Sequence, residues 1–425
     1  MNRKISPNIV DAVDFDLQLK PYTLHTLDNG IQVYAIDAGA QEVTMIEWVF
    51  KAGNCFENKN IVAATTSFLL KNGTSSKTAF AINEHFEMYG AHLNRHCYNE
   101  TASITLHSLN KHVHHLLPVV AEIVTDSVFP EEELAIYKQN QKQRLEVNLK
   151  KCDFIANRLI DEYLFGKQHP YGKYTSTLDY DAITQADIQQ FFTTYYVNGF
   201  CTIFVAGKLA SNLIEQLNQS FGQLPLNKQA IAFPQSLVLP TAEKKHRIIN
   251  DANGVQGAIR LARPFPNRHH PDFAKVQVLN NVFGGFFGSR LMSNIREDKG
   301  YTYGIHAYLQ NLIQASAWMV STEAGRDVCE ATISEVYIEM ERLRNEPISN
   351  DELHLVRNYM MGSLLGHLDG PFQIIARWKS YILNGLDEQY FYNSLQTIKT
   401  VDAQTLQELA NKYLQPDDFY ELVVV

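Results

Sequence analysis

Two stretches of this chain repeat one another in an ungapped register. Ile183-Thr184-Gln185-Ala186-Asp187-Ile188-Gln189-Gln190-Phe191-Phe192 leads through Tyr195 to Cys201-Thr202-Ile203-Phe204-Val205. Val401-Asp402-Ala403-Gln404-Thr405-Leu406-Gln407-Glu408-Leu409-Ala410 leads through Tyr413 to Phe419-Tyr420-Glu421-Leu422-Val423. The offset is the same at both ends: 401 − 183 = 218 and 413 − 195 = 218. Each stretch reads as an N-capped amphipathic helix feeding one apolar strand. Two ordinary helix–strand units can match by coincidence, but a register kept from cap to strand favours duplication. A chain of 425 residues gives each copy enough length to bury its own core.

The duplication sets a boundary. Gly222-Gln223-Leu224-Pro225 through Phe233-Pro234 to Leu239-Pro240 has three prolines and little periodicity, as a linker does. The expected organisation is an N-terminal domain over 1–222, a linker over 223–244 and a C-terminal homologous domain over 245–425. In the first, Asp28-Asn29-Gly30 between alternating runs at 22–27 and 31–36 is a strong hairpin signal. A strand is expected over 43–50, helices over 61–70 and 79–88, strands over 92–97 and 102–109, and a long helical region over 131–165. That region opens with Glu131-Glu132-Glu133 at the positive end of the helix dipole. In the second, strands are expected over 247–250 and 257–262, helices over 272–282 and 289–297, a strand pair over 302–322, and helices through most of the rest. Runs of strands beside runs of helices indicate an α+β fold with mainly antiparallel sheets.

Charge narrows the partners. Net charge is −9 at pH 7, and no basic run offers a footprint for nucleic acid or an anionic membrane. No apolar run reaches membrane-spanning length. The first residues lack the apolar stretch of a signal peptide; the expected compartment is the cytoplasm, or the periplasm if a leader has been removed. The five cysteines are widely spaced without a Cys-x-x-Cys pair, as expected of reduced, buried thiols.

The passage Phe283-Gly284-Gly285-Phe286-Phe287-Gly288-Ser289-Arg290-Leu291-Met292-Ser293-Asn294-Ile295-Arg296-Glu297-Asp298-Lys299-Gly300-Tyr301-Thr302-Tyr303 carries the chemical signal. Glycines permit a tight turn into a helix that Ser289 can cap, and Gly300 suits a left-handed cap at its end. Arg296 then stands at the helix end and Tyr303 near the start of a strand. On the residues alone, the pair reads as a structural Arg and a half-buried Tyr.

The passage resembles the pitrilysin/insulinase family of inverted-zincin metallopeptidases. That family carries an Arg and, seven residues on, a Tyr within a glycine-rich-SRL…IRE-KG-Y stretch. Arg296 and Tyr303 occupy those positions. His270-Pro271-Asp272-Phe273 and His169-Pro170-Tyr171-Gly172 extend the likeness, which runs from about Pro21 to the C-terminus. It implies two homologous domains forming half of a clamshell, with a Tyr hydroxyl that stabilises the oxyanion and an Arg that holds a neighbouring substrate carbonyl.

The family's zinc motif, His-x-x-Glu-His on a helix, precedes a segment ending in Gly-Thr, here Gly73-Thr74. Counting back, its positions fall on Ala64, Ser67 and Phe68. Ala and Phe have no lone pair for zinc, and Ser is a poor general base. The downstream glutamate ligand falls at or near Arg144, with Glu146 close by. No metal or other cofactor is therefore expected in this chain. His92 and His96, four apart on a strand, lie too far from each other to share an ion. His112, His114 and His115 read as a solvated helix start, and His269-His270 as a turn.

The resemblance thus implies the Arg/Tyr-bearing, non-zinc subunit of a heterodimeric peptidase. Its partner would be a paralogous chain that holds zinc, and its substrate a peptide or unfolded protein bound at a sheet edge. The alternative is a proteolytically inactive scaffold or peptide-binding protein of the same fold, as in the core proteins of respiratory bc complexes. No nucleic acid or membrane partner is expected.

Overall fold

The computed structural model describes residues 10–228 and 231–425. It contains two sheets, one in each half. The first is formed by β1 (Thr23–Thr26), β2 (Gln32–Asp37), β3 (Val43–Phe50), β4 (His92–Cys97), β5 (Ala102–Leu109) and β6 (Cys201–Gly207), in the order β1-β2-β6-β3-β5-β4. The second is formed by β7 (Lys245–Ile248), β8 (Gln256–Phe265), β9 (Thr302–Asn311), β10 (Ser316–Gly325) and β11 (Tyr420–Val424), in the order β7-β11-β8-β10-β9.

The two orders are the same arrangement. β6 runs parallel to β2 and antiparallel to β3, and β11 runs parallel to β7 and antiparallel to β8. All remaining pairs are antiparallel, so β1 is the one strand of the first sheet without a counterpart. The repeated helices occupy matching places. Thr184 opens Gln185–Phe192 with a reciprocal capping box to Asp187, and the Asp402 carboxylate caps Ala403–Tyr413 by accepting from the Thr405 N–H.

Local chemistry accounts for the elements. Asn-Gly turns the chain between β1 and β2 with Gly30 at φ +86°, and the register pairs Thr23 with Ala35 and Thr26 with Gln32. β3 is apolar on both faces because both faces are covered. Ile46, Trp48 and Phe50 pack into one core, while Met45 and Val49 pack into the other. The long helical region breaks in two, Glu131–Asn148 and Cys152–Phe165, separated by a turn at 149–151.

Each core draws on both halves. Helix Cys152–Phe165 of the first half lies on β8 and β11 of the second sheet, and helix Pro371–Leu383 of the second half lies on β6 and β2 of the first. Polar contacts pin both crossings. Arg260 on β8 donates from Nε to Asn157 Oδ1 at 2.8 Å, and Lys379 donates to both oxygens of Glu47 on β3 at 2.8 Å. Ala258 and Leu422 of the second half are buried in the first core, and Ile36 and Phe204 of the first half in the second. Among the described residues, no helix is long and apolar enough to cross a membrane.

Candidate functional site

The Arg/Tyr passage is built around a buried amide. Asn280 closes helix Phe273–Asn280, donates from Nδ2 to the Ala307 carbonyl on β9 at 2.9 Å, and accepts from Trp318 Nε1 on β10 at 2.7 Å. The chain then passes through a wide π-type turn, Asn281–Gly285. A Cβ at Gly284 would stand 2.7 Å from the Ala307 Cβ, so only glycine lets this turn lie flat against β9.

The following helix is also π-type over Met292–Asp298. Wide turns of this kind recur at functional sites because they push one residue out of the helical row. The helix is held through Arg290, Met292 and Asn294, and Arg296 takes no part in these contacts. Arg290 makes a bidentate pair with Glu352 at 2.7 and 2.8 Å, and Asn294 donates to Glu339 at 2.7 Å and Glu335 at 3.0 Å. Met292 Sδ accepts from the Ile305 N–H. Ser289 does not cap this helix as expected: its hydroxyl is buried with no protein partner, because Arg290 and Glu352 anchor the start instead. Gly300 ends it at φ +66°, the left-handed conformation its sequence suggests.

The Tyr301 N–H bonds to the Ile295 carbonyl at 3.0 Å, tying the start of the strand to the end of the helix. β9 then carries a bulge. Thr322 pairs with Ile305 and Ala324 with Thr302, so Tyr303 and Gly304 together oppose Glu323. Thr302 Oγ1 fixes the bulge by donating to the Glu323 carbonyl at 2.6 Å and accepting from the Gly304 N–H at 3.1 Å. Tyr303 emerges from this rigid frame 94% exposed rather than half-buried. Its hydroxyl has no partner among the described residues. The Arg296 guanidinium also has no hydrogen-bond acceptor and lies 4.6 Å from the Phe287 ring centroid. Both side chains therefore keep their donors free.

Ala64, Ser67 and Phe68 are on helix Val62–Leu69, which Glu57 caps by accepting from the Ile61 and Ala63 N–H groups at 3.2 and 3.1 Å. Ser67 is buried, Ala64 half-buried, and Phe68 exposed on the outer side against the Tyr137 ring. Arg95 on β4 donates to the Phe68 carbonyl at 2.7 Å and lies over the Phe68 ring. Burial pushes its guanidinium down to about 10, still charged at neutral pH. Arg144 and Glu146 are both exposed on helix Glu131–Asn148. Ala64, Ser67 and Phe68 do not fit zinc: they offer no imidazole or carboxylate, and the half-buried Arg95 cation beside the helix opposes a second positive charge. Among the described residues, no group of three or more His, Cys, Asp or Glu side chains is placed to hold a metal. Arg95 itself drew no attention in the sequence, where one Arg on a strand carries no signal.

The other family-like motifs hold the fold together. Tyr171 donates its hydroxyl to Glu100, which accepts from the Ile313 N–H at 3.0 Å in the turn between β9 and β10. Asp272 accepts from Lys412 at 2.8 Å and from the Tyr413 hydroxyl at 2.7 Å.

Comparison with known proteins fits this architecture. Residues 33–170 match the family described as "Insulinase (Peptidase family M16)", and residues 182–360 match "Peptidase M16 inactive domain". The chain is similar to an uncharacterized zinc protease, YmxG, of Bacillus subtilis (strain 168), with 23% identity over 83% of this chain and 86% of that protein. It is similar to a probable mitochondrial-processing peptidase subunit beta of Arabidopsis thaliana, with 23% identity over 92% and 76%. A crystal structure of a peptidase M16 inactive domain from Pseudomonas fluorescens superposes with a TM-score of 0.86 at 24% identity, covering 95% of this chain and 98% of that one. The two matches together span most of the chain and include the Arg/Tyr passage, and this chain belongs to the M16 (insulinase) peptidase family.

Proposed function

We propose that this chain is the non-zinc-binding subunit of a two-chain M16 peptidase. Its Arg296 and Tyr303 hold a peptide or unfolded protein in an active site whose hydrolytic half comes from a paralogous chain. The observation that carries this reading is the contrast within the molecule. Tyr303 stands 94% exposed on a rigid bulge, with Arg296 on the adjoining helix end, and neither uses its donors internally. The helix where the other half of the machinery would sit carries Ala64, Ser67 and Phe68.

Each side chain has a distinct task. The Tyr303 hydroxyl donates to the scissile carbonyl oxygen as negative charge develops there. A single pre-positioned donor of this kind is worth roughly 100-fold or more in rate. The Arg296 fork donates to a carbonyl further along the peptide and fixes its register. Among the described residues β9 pairs only with β10, and the part of its outer edge that Asn280 and Met292 do not use can take an extended peptide as an added strand. The relative named as a subunit beta supports a division of labour between chains.

The test is reconstitution with a paralogous chain bearing an intact His-x-x-Glu-His. Peptide cleavage should require both chains, and Tyr303→Phe should lower kcat by about 100-fold while the complex stays intact. Unchanged cleavage with Tyr303→Phe would overturn the proposal in favour of the scaffold role.

A further inference from the structure

A cavity of about 620 Å³ lies in the second half, bordered by β9 and by helices Phe273–Asn280, Asn350–Gly366, Pro371–Leu383 and Glu388–Thr400. Neither Arg296 nor Tyr303 lines it. Its size falls in the range of about 300–1,000 Å³ typical of small-molecule sites. The exposed side chains of Tyr359 and Gln373 are part of its wall, so it communicates with solvent.

Its lining is chemically one-sided. Arg268, Arg377 and His367 face it, and no Asp or Glu does, in a chain whose net charge is −9. Arg268 donates from Nη1 to Ser380 Oγ at 2.7 Å, and Arg377 donates from Nη1 to the Tyr381 hydroxyl at 3.0 Å. Each guanidinium has five N–H donors, so most have no acceptor among the described residues. Arg377 Nε is buried with no partner among the described residues. The Phe391 ring, 5.7 Å from the Arg377 guanidinium, offers a π face but no countercharge. Phe391, Ile398, Leu364 and Met360 give the cavity an apolar wall, and neutral amides such as Gln277, Asn281 and Asn311 complete the lining. Two forked cations without a countercharge, set against an apolar wall, are complementary to a carboxylate with a hydrocarbon body.

We propose that this cavity binds a small organic acid, its carboxylate held by Arg268 and Arg377 and its aliphatic or aromatic body against Phe391, Ile398 and Leu364. The inference does not depend on the peptidase reading. Calorimetric titration of the full chain tests it, with decanoate as the aliphatic probe, indole-3-propionate as the aromatic probe, and decyltrimethylammonium as the cationic control. At least one carboxylate should bind one-to-one in the micromolar range, identifying the body the site prefers, and the cation should not bind. Arg377→Met should weaken that binding at least tenfold. Ser363→Trp, at an exposed lining position, should abolish it with the melting temperature unchanged. Neither carboxylate binding below millimolar concentration, equal binding of the cation, or full binding by Ser363→Trp would each overturn the proposal.

Discussion

Lys379 Nζ stands 2.8 Å from both carboxylate oxygens of Glu47, joining a helix of the second half to the central strand of the first sheet. Glu47 is buried, so removing the one cation paired with it among the described residues strands a charge in the interior. Lys379→Met should cost about 3 kcal/mol. Because each core is shared between the halves, the loss should appear as one lowered transition rather than two. The double variant Glu47→Gln/Lys379→Met should recover most of it. Urea denaturation followed by circular dichroism and by tryptophan fluorescence checks both statements, and two separated transitions would contradict them.

Phe287, 59% exposed, serves as the platform on which Arg296 rests. An exposed cation–π contact is worth about 0.5–1 kcal/mol. In the reconstituted peptidase, Phe287→Ala should therefore raise KM about two- to fivefold and leave kcat nearly unchanged, whereas Tyr303→Phe acts on kcat. Peptide-cleavage kinetics on the two variants side by side separate holding the chain from stabilising its charge.

The sequence revealed what local rules govern. Asn29-Gly30 set the hairpin, the caps at Thr184 and Asp402 set the repeat, and Gly300 set the end of the Arg296 helix. It did not reveal what depends on long-range packing. The bulge at Tyr303 arises from how β9 meets β10, and the π turns arise because Asn280 and Met292 bond to β9. Ser289 looks like a cap in isolation and is buried because Arg290 found Glu352. The exchange of helices Cys152–Phe165 and Pro371–Leu383 between halves leaves no local trace either, since a helix does not state which sheet it covers.

Asp161, on the exchanged helix Cys152–Phe165, gives the fold a pH dependence. Burial raises its carboxyl to about 6, opposed in part by the hydrogen bond from Gln310 Nε2 at 3.4 Å. The folded state therefore holds this proton more tightly than the unfolded chain. The resulting stabilisation is present below about pH 4 and is lost as pH rises through 6. Asp161→Asn keeps an acceptor for Gln310 and removes the charge. It should stabilise the protein at pH 8 by up to about 3 kcal/mol, and the gain should vanish near pH 4. Paired urea melts at the two pH values test this, and an equal gain at both would refute the assignment.

Installing a His-x-x-Glu-His motif at positions 64, 67 and 68 should fail to create a tight zinc site, for reasons that lie outside the motif. Ala64→His/Ser67→Glu/Phe68→His recreates the two imidazoles and the carboxylate on one helix face. It leaves Arg144 at or near the place of the third ligand, and Arg95 still bonded to the backbone carbonyl of residue 68. Two imidazoles alone are an incomplete zinc site. A guanidinium close by adds repulsion that the partly buried surroundings do not screen well. The triple variant should therefore bind zinc no tighter than the micromolar range, measured by competition with a chromogenic chelator. Adding Arg144→Glu and Arg95→Gln supplies the missing carboxylate and removes the cation, and should tighten binding at least 100-fold. Tight stoichiometric zinc in the triple variant alone would mean that Arg95 and Arg144 play no part in keeping this half of the fold free of metal.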